Sequence, residues 1–289
     1  MTLQDLFREG EKRLLKVFEP EEAKSSAWFL LAGCFAMDSK DYLLLADQEA
    51  DPDMVSRYQA MISRRIEHEP TAYILGEWEF MGLPIHVSPS VLIPRQDTET
   101  LVEETIRYVN ECFTKGSRIR ILDLCTGSGC IAVSLKHMLD KAFDVQMTAS
   151  DLSKEALEVA QTNALRNNTD IRLICSDLFD QIEEDHYDII VRNPPYIAEK
   201  IRDEIQDDVR DYEPSLALFG GDDGLGFYRR ILPSLRTYLA QEGAFFLEIG
   251  DDQGRAVKQI AEEAQWSNVR LIQDLAGHDR VLFGKKGKR

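Results

Sequence analysis

From Asp97 to the C-terminus, short runs rich in β-branched and aromatic residues alternate with helical patterning, an alternation that few folds accept. Strands joined by helical crossovers form an open α/β sheet with helices on both faces. The strand candidates are Arg118 to Leu124, Val145 to Ser150, Ile171 to Cys175, Tyr187 to Val191, Ala244 to Ile249, Val269 to Gln273 and Arg280 to Phe283. Helical segments are expected between the first five. Only a short segment around Ala276-Gly277-His278 separates the last two, too short for a helical crossover, so the seventh strand is expected to run antiparallel to its neighbour. That feature departs from a plain dehydrogenase fold.

The N-terminal part reads differently. Leu3, Leu6, Phe7, Leu14, Val17 and Phe18 lie on one face of a helix opened by Thr2. Pro20 marks a new start, Glu21 to Met37 and Lys40 to Ala46 continue the helical pattern, and Asp51-Pro52 opens a helix through about Glu67. Trp78-Glu79-Phe80 and Ile85-His86-Val87 then flank Met81-Gly82, as in a short hairpin. The expected organisation is a small helical bundle over 1–72, a hairpin linker over 73–96 and an α/β domain over 97–289.

Within the α/β part, the first strand runs into Asp123-Leu124-Cys125-Thr126-Gly127-Ser128-Gly129, and the apolar helix Cys130 to Leu139 follows. Glycines at a strand-to-helix turn let the backbone approach a nucleotide cofactor, which makes this the expected cofactor loop. The second strand leads to Asp151, whose carboxylate is suited to accept from two ribose hydroxyls. Asp177 and Leu178, after the third strand, are suited to an adenine amino group and to the ring face. Each has a plainer reading: the glycines as a helix-opening turn, Asp177 as a helix cap. With Ala132 the glycines also satisfy the Gly-x-Gly-x-x-Ala dinucleotide fingerprint, which keeps an oxidoreductase in contention.

The end of the fourth strand separates these rivals. Asn193-Pro194-Pro195-Tyr196 follows the apolar run Tyr187 to Val191. The two prolines fix their own backbone angles, and Pro194 restricts Asn193 to an extended conformation. A planar nitrogen has a delocalised lone pair, so methylating it requires that it be oriented and that developing positive charge be stabilised as a methyl group arrives from a sulfonium donor. The Asn193 side-chain oxygen and the Pro194 carbonyl are suitable acceptors, and the Tyr196 ring can line the pocket. Hydride transfer needs none of this. The plain alternative is a proline turn closing a strand. If the first and fourth strands are neighbours where strand order reverses, Asn193 faces the glycine turn and one pocket unites both motifs.

Composition excludes other classes. Asp and Glu outnumber Lys and Arg by 51 to 34, for a net charge of −17, so no general attraction to phosphate backbones or anionic membranes is expected. The basic end Lys285-Lys286-Gly287-Lys288-Arg289 reads as a solvated tail. The five cysteines are scattered, without a Cys-x-x-Cys pair, and the five histidines are dispersed, so neither a disulfide framework nor a metal site is expected. The longest apolar stretch, Ala27 to Met37, is too short to span a bilayer, and the charged start is unlike a secretory signal; a cytoplasmic location is expected.

Taken with these motifs, the chain resembles the bacterial peptide chain release factor glutamine methyltransferases, the HemK or PrmC family, over nearly its whole length. The resemblance rests on Asn193 to Tyr196, Ile93-Pro94-Arg95-Gln96-Asp97-Thr98-Glu99, Tyr73-Ile74-Leu75-Gly76, Asp208-Val209-Arg210 with Glu213-Pro214, and Gly220-Gly221-Asp222-Asp223-Gly224-Leu225. It implies a seven-stranded Rossmann-like methyltransferase domain using S-adenosylmethionine and releasing S-adenosylhomocysteine. The implied reaction is methylation of the glutamine side-chain amide in the Gly-Gly-Gln loop of release factors, with the helical N-terminal domain gripping that protein substrate and no nucleic-acid substrate. Carried over by motif, Asp123 and Cys125 to Gly129 form the cofactor loop, Asp151 holds the ribose, Asp177 and Leu178 meet the adenine, and Asn193 to Tyr196 hold the glutamine.

Three positions depart from the family's habit. Cys125 replaces a frequent glycine and is expected to fit if its backbone angles are ordinary; Arg192 stands where Ser or Ala is frequent and offers a cation for substrate carboxylates; Gln96 stands where Pro is frequent. Two alternatives are carried beside this reading. DNA adenine and ribosomal RNA guanine methyltransferases share the tetrapeptide and act on an exocyclic amine, and a module could bind S-adenosylmethionine without turnover.

Overall fold

The computed structural model describes residues 1–182 and 187–287; His186, Lys288 and Arg289 lie outside them. The chain opens with five helices, α1 (Leu3–Leu14), α2 (Pro20–Phe35), α3 (Ser39–Leu45), α4 (Pro52–Ile66) and α5 (Thr71–Leu75). A hairpin of β1 (Glu77–Phe80) and β2 (Leu83–His86) follows, then α6 (Glu99–Cys112), β3 (Arg118–Leu124), α7 (Cys130–Leu139), β4 (Asp144–Asp151), α8 (Lys154–Arg166), β5 (Ile171–Cys175) and β6 (Tyr187–Arg192). The remainder is α9 (Asp207–Tyr212), α10 (Ser215–Leu218), α11 (Gly226–Tyr238), β7 (Leu239–Glu248), α12 (Gly254–Glu263), β8 (Val269–Gln273) and β9 (Asp279–Lys285). Among the described residues no helix is long and apolar enough to cross a membrane.

The chain divides into two compact units, Met1–Glu77 with Gln206–Tyr212, and Trp78–Ile205 with Glu213 onward. In the first, α1 starts at a reciprocal cap: Asp5 N–H donates to Thr2 Oγ1 at 3.2 Å and Thr2 N–H to Asp5 Oδ2 at 3.1 Å. The helix ends at Leu14, so Val17 and Phe18, expected on its face, follow it in a turn. Leu6, Leu14, Leu30, Leu31, Tyr58 and Ile62 form the unit's apolar core. Beside it, the buried Arg65 guanidinium lies 4.0 Å from the centre of the Phe18 ring, reaches Glu22 at 2.5 Å and Asp208 at 3.4 Å, and so ties α9 to α4. The Tyr212 hydroxyl adds a 2.6 Å bond to the Glu67 carbonyl.

The second unit contains the seven-stranded sheet, in the order β5-β4-β3-β6-β7-β9-β8. β3 to β7 are parallel, while β9 inserts between β7 and β8 and runs antiparallel to both. The central strands are covered on both faces, and Ile121, Leu122, Ile189, Ile190, Val191, Phe245 and Phe246 are fully buried. In the hairpin, Met81 and Gly82 both have positive φ, 52° and 72°, the geometry that two-residue hairpin turns require. The hairpin is tied to α8 by Asn163, which accepts from His86 N–H at 2.6 Å and donates to the His86 carbonyl at 2.9 Å.

The helix expected between β5 and β6 is not found among the described residues of that connection, 176–182; residues 183–186 lie outside them. Between β5 and β6 the described residues 176–182 form a turn in which the Ser176 hydroxyl donates to the Leu178 carbonyl at 2.9 Å and accepts from Gln181 N–H at 3.0 Å. A serine that takes up nearby backbone groups in this way competes with helical hydrogen bonding.

Candidate functional site

Strand order reverses between β3 and β6, which lie side by side in parallel register with Leu124 opposite Arg192. Leu124 is also opposite Ser150, and Asp151 opposite Cys175, so the carboxyl ends of β3, β4, β5 and β6 lie along one edge. Open α/β sheets hold ligands outside these ends. A cleft of about 1010 Å³, mouth included, lies there, and its lining includes Cys125, Thr126, Gly127, Ser128, Asp151, Asp177, Leu178, Asn193 and Pro195.

The glycine turn is held by its own side chains. Gly127 N–H donates to Asp151 Oδ2 at 2.9 Å, and Ser153 N–H to Asp151 Oδ1 at 3.0 Å. Each carboxylate oxygen keeps a lone pair for a ligand hydroxyl. Gly129, with φ +79°, caps α7; a Cβ there would lie 3.0 Å from the Ala160 Cβ, so glycine permits α7 and α8 to approach. Asp123 stands beneath the loop, fully buried, and accepts from the Thr126 hydroxyl at 2.7 Å. Burial raises its carboxyl to about 7, opposed by the Thr126 bond and assisted by the neighbouring Asp151 carboxylate.

Cys125 does not have ordinary backbone angles. Its φ is +57°, in the left-handed region that favours glycine, and Leu178 across the cleft has φ +53°. The expectation of an unstrained Cys125 is therefore corrected: the loop keeps a glycine-like turn without the glycine. Its thiol is pushed up to about 11 by burial, with the Arg192 cation opposing.

Arg192 is also corrected. Its side chain is fully buried, lies 4.8 Å from the Phe227 ring centre and has all three guanidinium nitrogens without a hydrogen-bond partner. It is absent from the cleft lining, so it is not presented to a substrate carboxylate. Burial lowers its proton affinity, and the nearby Cys125, Tyr228 and Asp151 counteract that effect.

Asn193 projects from the end of β6 into the cleft, and its Nδ2 donates to Thr98 Oγ1 at 3.2 Å. Pro195 lines the cleft, whereas Pro194, Tyr196, Asp123 and Gly129 stand behind its wall. Tyr196 faces the Glu248 carboxylate, and burial raises its hydroxyl above the ordinary tyrosine range. The Tyr196 carbonyl accepts from Gln253 Nε2 at 2.8 Å, and a Cβ on Gly224 would lie 2.2 Å from that same oxygen. The glycine-rich segment 220–224 is thus a backing for the tetrapeptide. Asp177 accepts two 2.9 Å bonds from Arg230 Nη2 at the cleft's edge.

Several lining residues had no role assigned from the sequence: Arg95, Thr98, Pro214 and Phe227 among them. The buried Glu213 carboxylate accepts from Ile93 N–H at 3.1 Å and pairs with Arg95, which joins two of the quoted motifs into one wall. Glu248 was likewise unread, since nothing in Phe246-Leu247-Glu248-Ile249 marks a carboxylate at the end of a buried strand. Among the described residues no cluster of three His, Cys, Asp or Glu side chains is arranged to hold a metal ion.

A family model described as the methyltransferase small domain matches residues 102–209, and one described as the PrmC N-terminal domain matches residues 5–76. The release factor glutamine methyltransferase of Koribacter versatilis is 37% identical over 287 residues, covering 99% of each chain. That of Haemophilus influenzae is 36% identical, covering 98% of this chain and 99% of its own. Among solved structures, a 16S rRNA N2 G1207 methyltransferase of T. thermophilus in complex with AdoMet and guanosine matches with a TM-score of 0.52 and 19% identity, covering 73% of this chain and 49% of its own.

Proposed function

The chain belongs to the release factor glutamine methyltransferase family, and we propose that it methylates the side-chain amide nitrogen of the glutamine in the Gly-Gly-Gln loop of peptide chain release factors, using S-adenosylmethionine. The observation that carries this reading is the parallel pairing of β3 with β6, which gives Asn193 and the glycine turn one cleft.

The cleft fits a cationic nucleoside. Asp151 and Asp177 offer carboxylates, Ile131, Leu152, Leu178 and Phe227 offer apolar surface, and at Gly127 no heavy atom lies within 4 Å of the Cβ position. When bound, S-adenosylmethionine supplies an electrophilic methyl group on a sulfonium. Thr126 to Ser128 and Asp151 would hold the cofactor's ribose side, and Asp177 and Leu178 its base. Asn193 Oδ1, the acceptor of the tetrapeptide that lines the cleft, takes an amide hydrogen of the glutamine, which turns the nitrogen toward the methyl carbon and stabilises positive charge as it develops there, whereas the Pro194 carbonyl expected to take the second hydrogen belongs to a residue outside the cleft lining. With the glutamine nitrogen as nucleophile and the sulfonium sulfur as leaving group, the bound cofactor would supply the methyl carbon, and the proton shed by the alkylated nitrogen would pass to water. Tyr196 and Pro195 fix the turn.

The helical unit that matches the PrmC N-terminal domain is assigned the recognition of the release factor. Acting on a translation factor, the enzyme works in the cytoplasm. The test is transfer of a labelled methyl group to a purified release factor, beside the same factor with its Gly-Gly-Gln glutamine replaced, duplex DNA and ribosomal RNA. Label on the intact factor alone supports the reading; label on nucleic acid moves the substrate to a base amine. Asn193→Ala is expected to lower turnover about a hundredfold while leaving cofactor affinity nearly unchanged.

A further inference from the structure

A leucine exposed on a convex surface says little, because folded proteins carry many. An exposed leucine in the wall of a cleft is different, since its free face is turned into a concave site that a ligand can fill. Two of the exposed leucines lie in the cleft lining, Leu152 at 49% and Leu216 at 54%. Leu152 follows Asp151 at the end of β4, on the side proposed for the cofactor. Leu216 stands in α10, in a part of the wall that no group has yet been given.

α10 is fixed to the tetrapeptide and not to the cofactor loop. Before it in the chain, the buried Glu213 carboxylate accepts from Ile93 N–H at 3.1 Å and pairs with Arg95. After it, Ile197 N–H donates to the Leu218 carbonyl at 3.0 Å and Gly220 N–H to the Ile197 carbonyl at 2.9 Å, so the chain leaving α10 is bridged to the residue that follows Tyr196. Gly220 makes the approach possible, since a Cβ there would lie 2.6 Å from the Pro195 carbonyl oxygen. Within the turn, Ala217 N–H donates to the Pro214 carbonyl at 2.8 Å. With both ends tied, Pro214, Leu216 and Ala217 form an apolar wall that is in place before a ligand arrives, which lowers the ordering cost of binding on it.

Strand order decides which ligand meets this wall. The residues proposed to hold the cofactor stand at the ends of β3, β4 and β5, and β6 lies beyond β3 in the order β5-β4-β3-β6. Through Ile197, α10 belongs to the β6 end, where Asn193 lines the cleft. A glutamine that presents its amide to Asn193 brings two methylenes behind that amide, and these call for apolar surface and no polar partner. We propose that Leu216, with Pro214 and Ala217 beside it, is the platform for the aliphatic stem of the substrate glutamine, which makes it a specificity-determining residue for the methyl acceptor and not a cofactor contact. The inference rests on the methyl-transfer reading above.

The experiment uses the native full chain, Leu216→Ala and Leu216→Met. For each it measures the affinity for a purified release factor, for the same factor with its Gly-Gly-Gln glutamine replaced by alanine, and for S-adenosylmethionine, together with the melting temperature and methyl transfer to the intact factor. Leu216→Ala is expected to bind the intact factor about tenfold more weakly, the worth of burying two methylenes, and Leu216→Met to lose less. The factor that already lacks the glutamine stem is expected to bind the native chain and Leu216→Ala equally well, because the contact is gone from the partner's side. Cofactor affinity and melting temperature are expected to stay native in both variants. Unchanged affinity of Leu216→Ala for the intact factor, an equal loss for both factors, or a loss of cofactor affinity or melting temperature that accompanies the weaker binding overturns the inference. Absence of transfer by the native protein overturns the substrate reading itself, and this inference with it.

Discussion

Gly127 donates its backbone N–H to Asp151 Oδ2 at 2.9 Å, so the carboxylate proposed to hold the cofactor's ribose also holds the loop proposed to cradle it. The second oxygen of Asp151 fixes Ser153 at the start of α8. Removing this side chain therefore acts twice, on ligand contacts and on two backbone donors. Asp151→Ala is expected to weaken S-adenosylmethionine binding about a hundredfold, the equivalent of roughly 3 kcal/mol. Titration calorimetry gives the number, and native affinity in the variant rules the double role out. Turnover at saturating cofactor is expected to fall less, since these contacts are remote from the transferred methyl group.

Gly224 is the second sharp constraint. Its φ is +75°, and a Cβ there would lie 2.2 Å from the Tyr196 carbonyl oxygen and 2.8 Å from Gln253 Nε2. Backbone cannot swing aside as a long side chain can, so Gly224→Ala must push on the tetrapeptide. A destabilisation of about 2 kcal/mol is expected from overpacking together with the left-handed backbone. Turnover is expected to fall further than stability alone explains, which activity measured well below the melting temperature will show.

Much of this architecture was legible beforehand. All seven sheet strands, the hairpin and the antiparallel last strand follow from runs of β-branched residues and the turns between them. That the glycine turn and Asn193 share one cleft was legible because glycine and proline constrain the backbone locally. What escaped was non-local. Thr98 is distant in sequence from Asn193, to whose Nδ2 it offers its hydroxyl at 3.2 Å, and no local pattern marks a polar side chain that matters because of what folds against it. Among the described residues 176–182, a turn takes the place of the helix expected between β5 and β6, because the Ser176 hydroxyl takes backbone groups for itself. The condition set for an easy fit of Cys125, ordinary backbone angles, is not met, because a residue's name does not state its φ, which is +57°.

The pH dependence of stability follows from two buried acids. Asp123 rises from an ordinary 3.8 and Glu248 from 4.5, both to about 7, because burial disfavours their charged forms. At a pH between the unfolded and folded values, the unfolded chain has released these protons while the folded protein retains them. The unfolded state then binds fewer protons, and stability falls as pH rises. Their contribution is fully present below about pH 4 and is lost by the time pH passes 7. Asp123→Asn removes one of the two slopes, so its unfolding free energy minus the native one is expected to rise from about pH 5 to about pH 8, by an amount of order a few kcal/mol. Urea unfolding at both pH values measures it, and parallel pH curves for the two proteins contradict the assignment.

Cys125 offers the most direct test of backbone strain in the cleft. A side chain at φ +57° costs about 1 kcal/mol relative to glycine, while glycine costs about 0.5 to 1 kcal/mol of extra chain entropy on folding. The two nearly cancel. Cys125→Gly is therefore expected to leave stability within about 0.5 kcal/mol of native and to retain turnover. Cys125→Val carries the same backbone strain with a branched Cβ, for which positive φ is a genuine outlier, and is expected to lose about 2 kcal/mol. Its cofactor affinity should fall with it, because the loop relaxes by moving the N–H groups of Thr126 and Gly127. Equal melting temperatures for the glycine and valine variants would mean that position 125 relaxes freely, and that the left-handed turn is not what shapes the cofactor loop.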